Sequence, residues 1–573
     1  MKEIHKKIVS VTSMVIIGIL ISSCSSEDNL VDNASGTPKT YSMAINASIS
    51  GSGKTTRALS LDDKTLNATW ATTENIYVKK GETSLGTLSP QSNGATAVLK
   101  GELTGDIAVN DNLSLTFPRS NIDYRNQDGT LATIASTFDY ATATAEVTAI
   151  SGSSITANDV TFDSQQAIVK FVLTNKVTGE PIDAHSFEIN DDKLVRYITG
   201  GVETKGSLNI TTTSSTWTAN GGTGIIYMAL RGLNNSYIGI TVSDQNGARQ
   251  YYYSKTGVTF EHGKYYVVNL ALVPDPDETK DISAGNITVP SGKIYRVSGT
   301  SSSYTITLQD GACLILNGVN ITSSSYNRPI ECLGNAYILI NDGTSNTLTT
   351  TGNNSAGIQA GPSGKTLSIK GKTGTLNVNS YNCPAIGNGY GSSTTIGDII
   401  ISGGIINATG GSKGAGGYGS GIGSGYNTCG NITINGGTIT AIGGGTCAGI
   451  GSGASGTCGN ITINGGTIVA KGYSHAAGIG SGYGGTCGTI TIGSGITSVT
   501  ASCGDTGLSG DAGTSAPDYP VDCDLIGRGY SATCGTVTID GVGNATTSSV
   551  FTNLNSVVST SARTNDTWTL THK

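Results

Sequence analysis

The C-terminal half of the chain repeats one pattern of apolar, polar and glycine positions. Strand ends at Leu316-Asn317, Ile340-Asn341, Ile369-Lys370, Ile401-Ser402, Ile434-Asn435, Ile463-Asn464, Ile492-Gly493 and Ile539-Asp540 follow at steps of 24, 29, 32, 33, 29, 29 and 47 residues. Each middle unit reads Gly-Ile-Gly-Ser-Gly, then Cys-Gly-Asn-Ile-Thr-Ile-Asn-Gly-Gly, then Thr-Ile-Thr-Ala. Apolar and polar residues alternate within each run and glycine separates the runs, which predicts three short strands per unit joined at corners. One unit alone cannot bury its apolar face. Units stacked at a rise of about 4.8 Å share a continuous core of Ile, Val and Ala. The predicted architecture over 285–573 is a right-handed parallel β-helix of about eight or nine coils.

Upstream, residues 41–273 read as longer strands between Gly, Asn, Asp and Ser turns, with no helical period of useful length. Examples are Asn75 to Lys79, Ala167 to Leu173 and Tyr265 to Val273, where Tyr266, Val268, Leu270 and Leu272 share one face. The prediction is a tandem β-sandwich, 41–160 and 161–273. The polar run Pro274-Asp275-Pro276-Asp277-Glu278 opens a stiff linker over 274–284. The fold class is therefore all-β throughout.

The first residues carry an address. Lys2, Lys6 and Lys7 precede a mainly apolar stretch, Ile8 to Ile21, too short to span a bilayer as a stable helix. This is the pattern of a secretory signal peptide. It ends in Ile21-Ser22-Ser23-Cys24, the order of a bacterial lipobox, in which the Cys24 thiolate takes a diacylglyceryl chain. An ordinary signal peptide with a chance cysteine is the alternative. Ser25-Ser26-Glu27-Asp28, opening a tether over 25–40, resembles the acidic export signal of Bacteroidetes surface lipoproteins.

Composition agrees with export. Net charge is −7 and no stretch is strongly basic, so nucleic acid is not an expected partner. Eleven cysteines are many for a reducing compartment, and all except Cys24 lie beyond residue 310.

Two resemblances add to this reading. Thr56-Arg57-Ala58, Trp70 before Ile76-Tyr77-Val78, Phe138-Asp139-Tyr140, Gln166 to Phe171 and Phe260-x-x-Gly263-Lys264-Tyr265-Tyr266 together resemble the fimbrillin family of Bacteroidales. That resemblance implies tandem transthyretin-like sandwiches and, in some members, pilus assembly by donor-strand exchange after cleavage at an arginine. Arg57 would be the cleavage position; an exposed arginine with no such role is the alternative. Leu314 to Val319 and Ile338 to Thr344 resemble a β-helical family known for carbohydrate binding, over residues 305–380.

The repeat register also places candidate chemistry. Four residues after Ile386, Ile422, Ile450, Ile479 and Ile526 stand Tyr390, Tyr426, Ala454, Tyr483 and Tyr530, an aromatic stripe with Tyr473 and His475 in the turn before it. Either the rings form a ladder that stabilises the coils, or they are a platform for the C–H faces of sugar rings. Cys429, Cys458, Cys487 and Cys534 also share a register position. In-register Cβ atoms near 4.8 Å apart exceed the usual disulfide range of about 3.5–4.5 Å, which favours stacked thiols over bonds. The 47-residue step holds an insertion at 504–522 between Cys503 and Cys523, which are expected to bond across its neck; stacking of Cys523 with Cys447 and Cys383 is the alternative. Asp505, Asp511, Asp518, Asp522 and Asp524 make this loop either a Ca²⁺ candidate or simply a solvated acidic loop.

Catalysis is not expected. Between Asp398 and Asp505 the chain has no Asp or Glu and only Lys413 and Lys471 as cations, so a hydrolase's carboxylate pair cannot be built there. Gly51 to Thr55 mimics the end of a phosphate loop, but Ser48 stands where its leading glycine belongs. The glycine runs of the coils are corners and not dinucleotide loops, since no helix follows them. No cofactor is implied. The sequence predicts a lipid-anchored, surface-exposed outer-membrane adhesin or accessory fimbrial subunit whose β-helix binds a glycan, with other fimbrial subunits as possible partners. A purely structural tip or stalk subunit and a β-helical polysaccharide lyase or hydrolase are the alternatives.

Overall fold

The computed structural model describes residues 38–571 except 50–59, 63–64, 68, 246, 248, 325, 390–394, 412–418, 505–522, 540–541 and 544–566. The described residues are all-β, and the helices among them are short turns such as Ser214–Asn220.

In the first unit, Thr40–Ile49 alternates exposed and buried residues along its length. Period-two patterning puts Tyr41, Met43, Ile45 and Ala47 on one face, against a core built on Trp70. The Trp70 indole meets Phe117 and Phe162 edge-on, with centroids 6.0 and 5.0 Å away. Eight strands form this sheet, and the pairings of Val160–Ser164 with Ala141–Ser151 and of Ser154–Ala157 with Thr40–Ile49 join the two ends of its order.

The second unit is a seven-stranded sheet. Gln166–Asn175 lies between Tyr265–Pro274, parallel to it, and Ile225–Arg231, antiparallel. With a neighbour on each side, this strand is buried at nearly every position of its first half.

The predicted division at 160/161 shifts for a physical reason. Val160–Ser164 completes the first sheet, whereas Tyr124, Phe138 and Tyr140, well inside the predicted first sandwich, pack in the second core. Gln127 holds that excursion in place: its Nε2 donates to Ala229 O at 2.8 Å and its Oε1 accepts from Ala229 N at 2.7 Å, in the manner of a strand neighbour. The predicted linker also shortens. Glu278–Asp281 already pairs in parallel with Ile294–Ser301, so the coils begin at 278.

From there strands stack in parallel as three sheets, except that Ile496–Gly504 with Thr567–Thr571 and Val537–Ile539 with Val542–Gly543 pair antiparallel at the far end. Ile386, Ile422, Ile450, Ile479 and Ile526 align from coil to coil, as do Ile432, Ile461, Ile490 and Val537, and all are buried. The repeated Gly-Ile-Gly-Ser-Gly follows from this stacking. Gly423, Gly451 and Gly480 sit at φ +135°, each with the next coil's glycine carbonyl where a Cβ would go. The buried serines Ser424, Ser452 and Ser481 accept the corner amides of Gly453, Gly482 and Gly529 at 3.3, 3.2 and 3.1 Å. These hydroxyls satisfy donors that the sharp corner would otherwise leave unpaired. Asn431 and Asn460 likewise accept the amides of Asn460 and Thr489, both at 2.9 Å.

Candidate functional site

The aromatic edge follows from corner geometry. After the inward Ile-Gly pairs at Ile422 and Ile479 the chain turns outward, and Tyr426 and Tyr483, four positions on, emerge at the rim. Tyr483 and Tyr530, on adjacent coils, stack with centroids 5.7 Å apart and planes 15° from parallel. His475 closes the group edge-on, 5.6 Å from Tyr530 and 6.4 Å from Tyr483. The left-handed His475 backbone (φ +61°) brings its ring there, and Nδ1 lies 2.8 Å from Ser474 Oγ. The His475 carbonyl accepts the Tyr530 amide at 2.9 Å, which ties the turn to the coil above.

The stripe is not uniform. On the coil below Tyr483 stands buried Ala454, and one coil lower Tyr426. Tyr426 and Tyr483 are 38 % and 42 % exposed, among the most exposed large side chains of the coils. The corner from Ile422 to Thr428 is one residue shorter than those from Ile450 to Thr457 and Ile479 to Thr486, which the simple count from the isoleucines does not show. Tyr473 is half-buried, its amide donating to Cys447 O at 3.1 Å. Tyr390, Cys24 and Arg57 lie outside the described residues.

Cys503 and Cys523 are joined by a disulfide with Cα atoms 6.4 Å apart. Of the acidic candidates, Asp505, Asp511, Asp518 and Asp522 lie outside the described residues. Asp524 is turned toward Arg528, accepting its backbone amide at 3.0 Å and facing its Nε at 3.7 Å. Among the described residues no group of three or more His, Cys, Asp or Glu side chains is placed to hold a metal ion.

Cys429, Cys458, Cys487 and Cys534 pair in register as free thiols. Contact with Cys534 and burial both push the Cys487 thiol far above its ordinary pKa, and contact with Cys429 does the same for Cys458.

One concavity has no signal in the repeat. A cavity of about 540 Å³ opens between the second unit and the coils, lined by Lys176, Tyr237, Tyr252, Lys255, Asp342 and Lys372. Lys176 and Asp342, 166 residues apart, form an ion pair of 3.2 Å across it. Only their long-range apposition makes the site, so no local spacing points to it. It lies on a different part of the protein from the tyrosine edge.

No family model matches the chain, and no curated protein matches it. Its coordinates are similar to those of a Bacteroides ovatus protein named as a candidate cell adhesion protein, at 12% identity and TM-score 0.23, over 42% of this chain and 96% of that one. A fimbrial assembly protein from Parabacteroides distasonis is similar at 12% identity and TM-score 0.23, over 40% and 90%. The Bacillus anthracis TIE protein is similar at 11% identity and TM-score 0.14, over 44% of this chain and 38% of its own length.

Proposed function

We propose that this chain is a non-catalytic cell-surface lipoprotein, an adhesin or accessory fimbrial subunit held to the outer membrane through Cys24. In this reading the first two units are transthyretin-like, fimbrillin-type sandwiches that act as spacer or pilin module. The stacked coils are a right-handed parallel β-helix whose rim binds carbohydrate. The observation that carries the binding claim is the pair Tyr426 and Tyr483, both exposed, with the small side chain of Ala454 on the coil between them. They stand two coils apart, about 9.6 Å along the stack, and offset by the shorter corner after Ile422. A sugar ring on this rim can pack a C–H face against either exposed aromatic ring.

A second reading has its own observation. Tyr483 and Tyr530 spend one face of each ring on the other, as a purely structural ladder would, and a tip or stalk subunit needs nothing more.

A glycan array probed with the native protein and with the triple variant Tyr426→Ala, Tyr483→Ala, Tyr530→Ala separates the two. Loss of retention with an intact far-UV β signal supports the rim as the binding surface. Equal retention by both proteins makes the stripe structural, and no retention by the native protein removes carbohydrate binding altogether. Release of shortened or unsaturated products from pectins would instead reveal a polysaccharide-cleaving enzyme. Cys24→Ser should release the protein from the membrane fraction, because the lipid group would no longer be attached.

A further inference from the structure

The thiol stack is a ladder of four strands with two terminal rungs among the described residues. Its four strands run from Thr428–Cys429 through Thr457–Cys458 and Thr486–Cys487 to Thr533–Cys534, and among the described residues no strand pairs beyond the last. Cys429, Cys458 and Cys487 are buried, whereas Cys534 reaches solvent. Its Sγ lies 3.4 Å from Cys487 Sγ.

We propose that Cys487 and Cys534 form a disulfide that staples the last coil to the one beneath it. In-register spacing of about 4.8 Å suits the Cα range of a disulfide but slightly exceeds its Cβ range. Interior coils are held from both sides and cannot close that difference. At the thiol corner of the end coil, Thr533–Cys534 has a strand neighbour on one side only among the described residues, although Val537–Ile539 of the same coil also pairs outward with Val542–Gly543. The Cys534 sulfur already touches its neighbour. The bond would enclose the whole insertion and nest outside Cys503–Cys523.

The chemistry requires an external disulfide oxidant, such as oxidised glutathione or a thiol–disulfide oxidoreductase. The Cys534 thiolate attacks that disulfide, forming a mixed disulfide and expelling one thiolate. The Cys487 thiol then gives its proton to the departing second oxidant thiolate as its sulfur attacks the Cys534 sulfur. Two protein thiols are oxidised and one oxidant disulfide is reduced. Cys534 reaches solvent whereas Cys487 is buried, so Cys534 meets the oxidant first, and contact with Cys534 and burial both raise the Cys487 thiol pKa.

The experiment is a non-reducing tryptic map of the native protein after exposure to oxidised glutathione, with free thiols alkylated under denaturing conditions. Cleavage at Lys471, Arg528 and Arg563 places Cys487, Cys503 and Cys523 in peptide 472–528 and Cys534 in peptide 529–563. The expected result is a joined pair linked through Cys487 and Cys534, with Cys429 and Cys458 fully alkylated. Complete alkylation of Cys534, or its linkage to Cys503 or Cys523, overturns the proposal. In Cys534→Ser, checked for an unchanged far-UV spectrum, Cys487 should remain alkylatable. A Cys458–Cys487 bond there would show that the solvent-reaching end does not select the pair, and would also overturn it. Cys487→Ser reads the same question from the other side, since Cys534 should then stay a thiol.

Discussion

Arg249 of the second unit donates from Nη2 to Asp277 Oδ2 at 2.9 Å, and the same carboxylate accepts the Ile294 amide of the coils at 2.7 Å. Lys293 Nζ adds a contact of 3.2 Å to Oδ1. A buried apolar cluster of Val177, Ile294, Cys313, Ile315 and Leu339 completes this junction. Asp277 therefore acts as a pin between the second unit and the coils.

Acid should loosen that pin. Burial, the largest influence on Asp277, raises its pKa, but the Ile294 amide, Lys293 and Arg249 together outweigh burial and hold it below the usual value. A carboxylate depressed in the folded state contributes stability above its unfolded pKa, about 3.9, and loses it as pH falls through the folded value. Asp277→Asn should remove that acid-sensitive component and cost roughly 0–1 kcal/mol at neutral pH, as partly exposed pairs do. Thermal midpoints of both proteins between pH 6 and the acid limit, taken in about half-unit steps, check this; identical pH profiles would refute it.

Ala454→Tyr should complete the aromatic stripe and fill the gap between Tyr426 and Tyr483. If that gap admits a sugar ring, the variant loses glycan retention with its far-UV β signal intact, although overpacking the buried Ala454 site lowers its melting temperature. Retention equal to that of the native protein would place the ligand elsewhere.

Gly451→Ala should destabilise the coils far more than Gly436→Ala. A Cβ on Gly451 would overlap the carbonyl oxygen of Gly480 at φ +135°, whereas a Cβ on Gly436 meets nothing within 4 Å. Backbone strain of this kind costs about 1–3 kcal/mol, and the steric overlap adds to it. Urea midpoints compare the pair directly, and equal midpoints would contradict the close coil approach.

Breaking Cys503–Cys523 should destabilise the end coils. The bond closes a sequence separation of 20, which in the loop-entropy account contributes roughly 3 kcal/mol. Cys503→Ser together with Cys523→Ser should lower the unfolding midpoint and speed proteolysis within 504–522. Unchanged values for both would show that the bond does not restrain the insertion.

Sequence alone determined the strand type and the faces. Alternation places Met43 and Ile45 inward, and the recurring Ile-Gly-Ser-Gly places Ile450 and Ile479 in one buried column, because a stacked coil contacts only its neighbours and each coil carries the same instructions. The glycine at the corner and the serine after it were legible as a period, though their reason, a carbonyl in the Cβ position and an amide needing an acceptor, appears only once the coils are stacked. Long-range apposition was not legible. Residues 122–140 join the second core through Gln127 and Ala229, the 540 Å³ cleft needs Lys176 beside Asp342, and the short corner after Ile422 alters the even tyrosine spacing. The four stacked thiols look alike in sequence; only the tertiary structure shows that Cys534 ends the stack with its sulfur against Cys487. Periodicity specifies what each residue does within its own coil, and side chains brought together from distant coils or from another unit are set by packing, which no local pattern records.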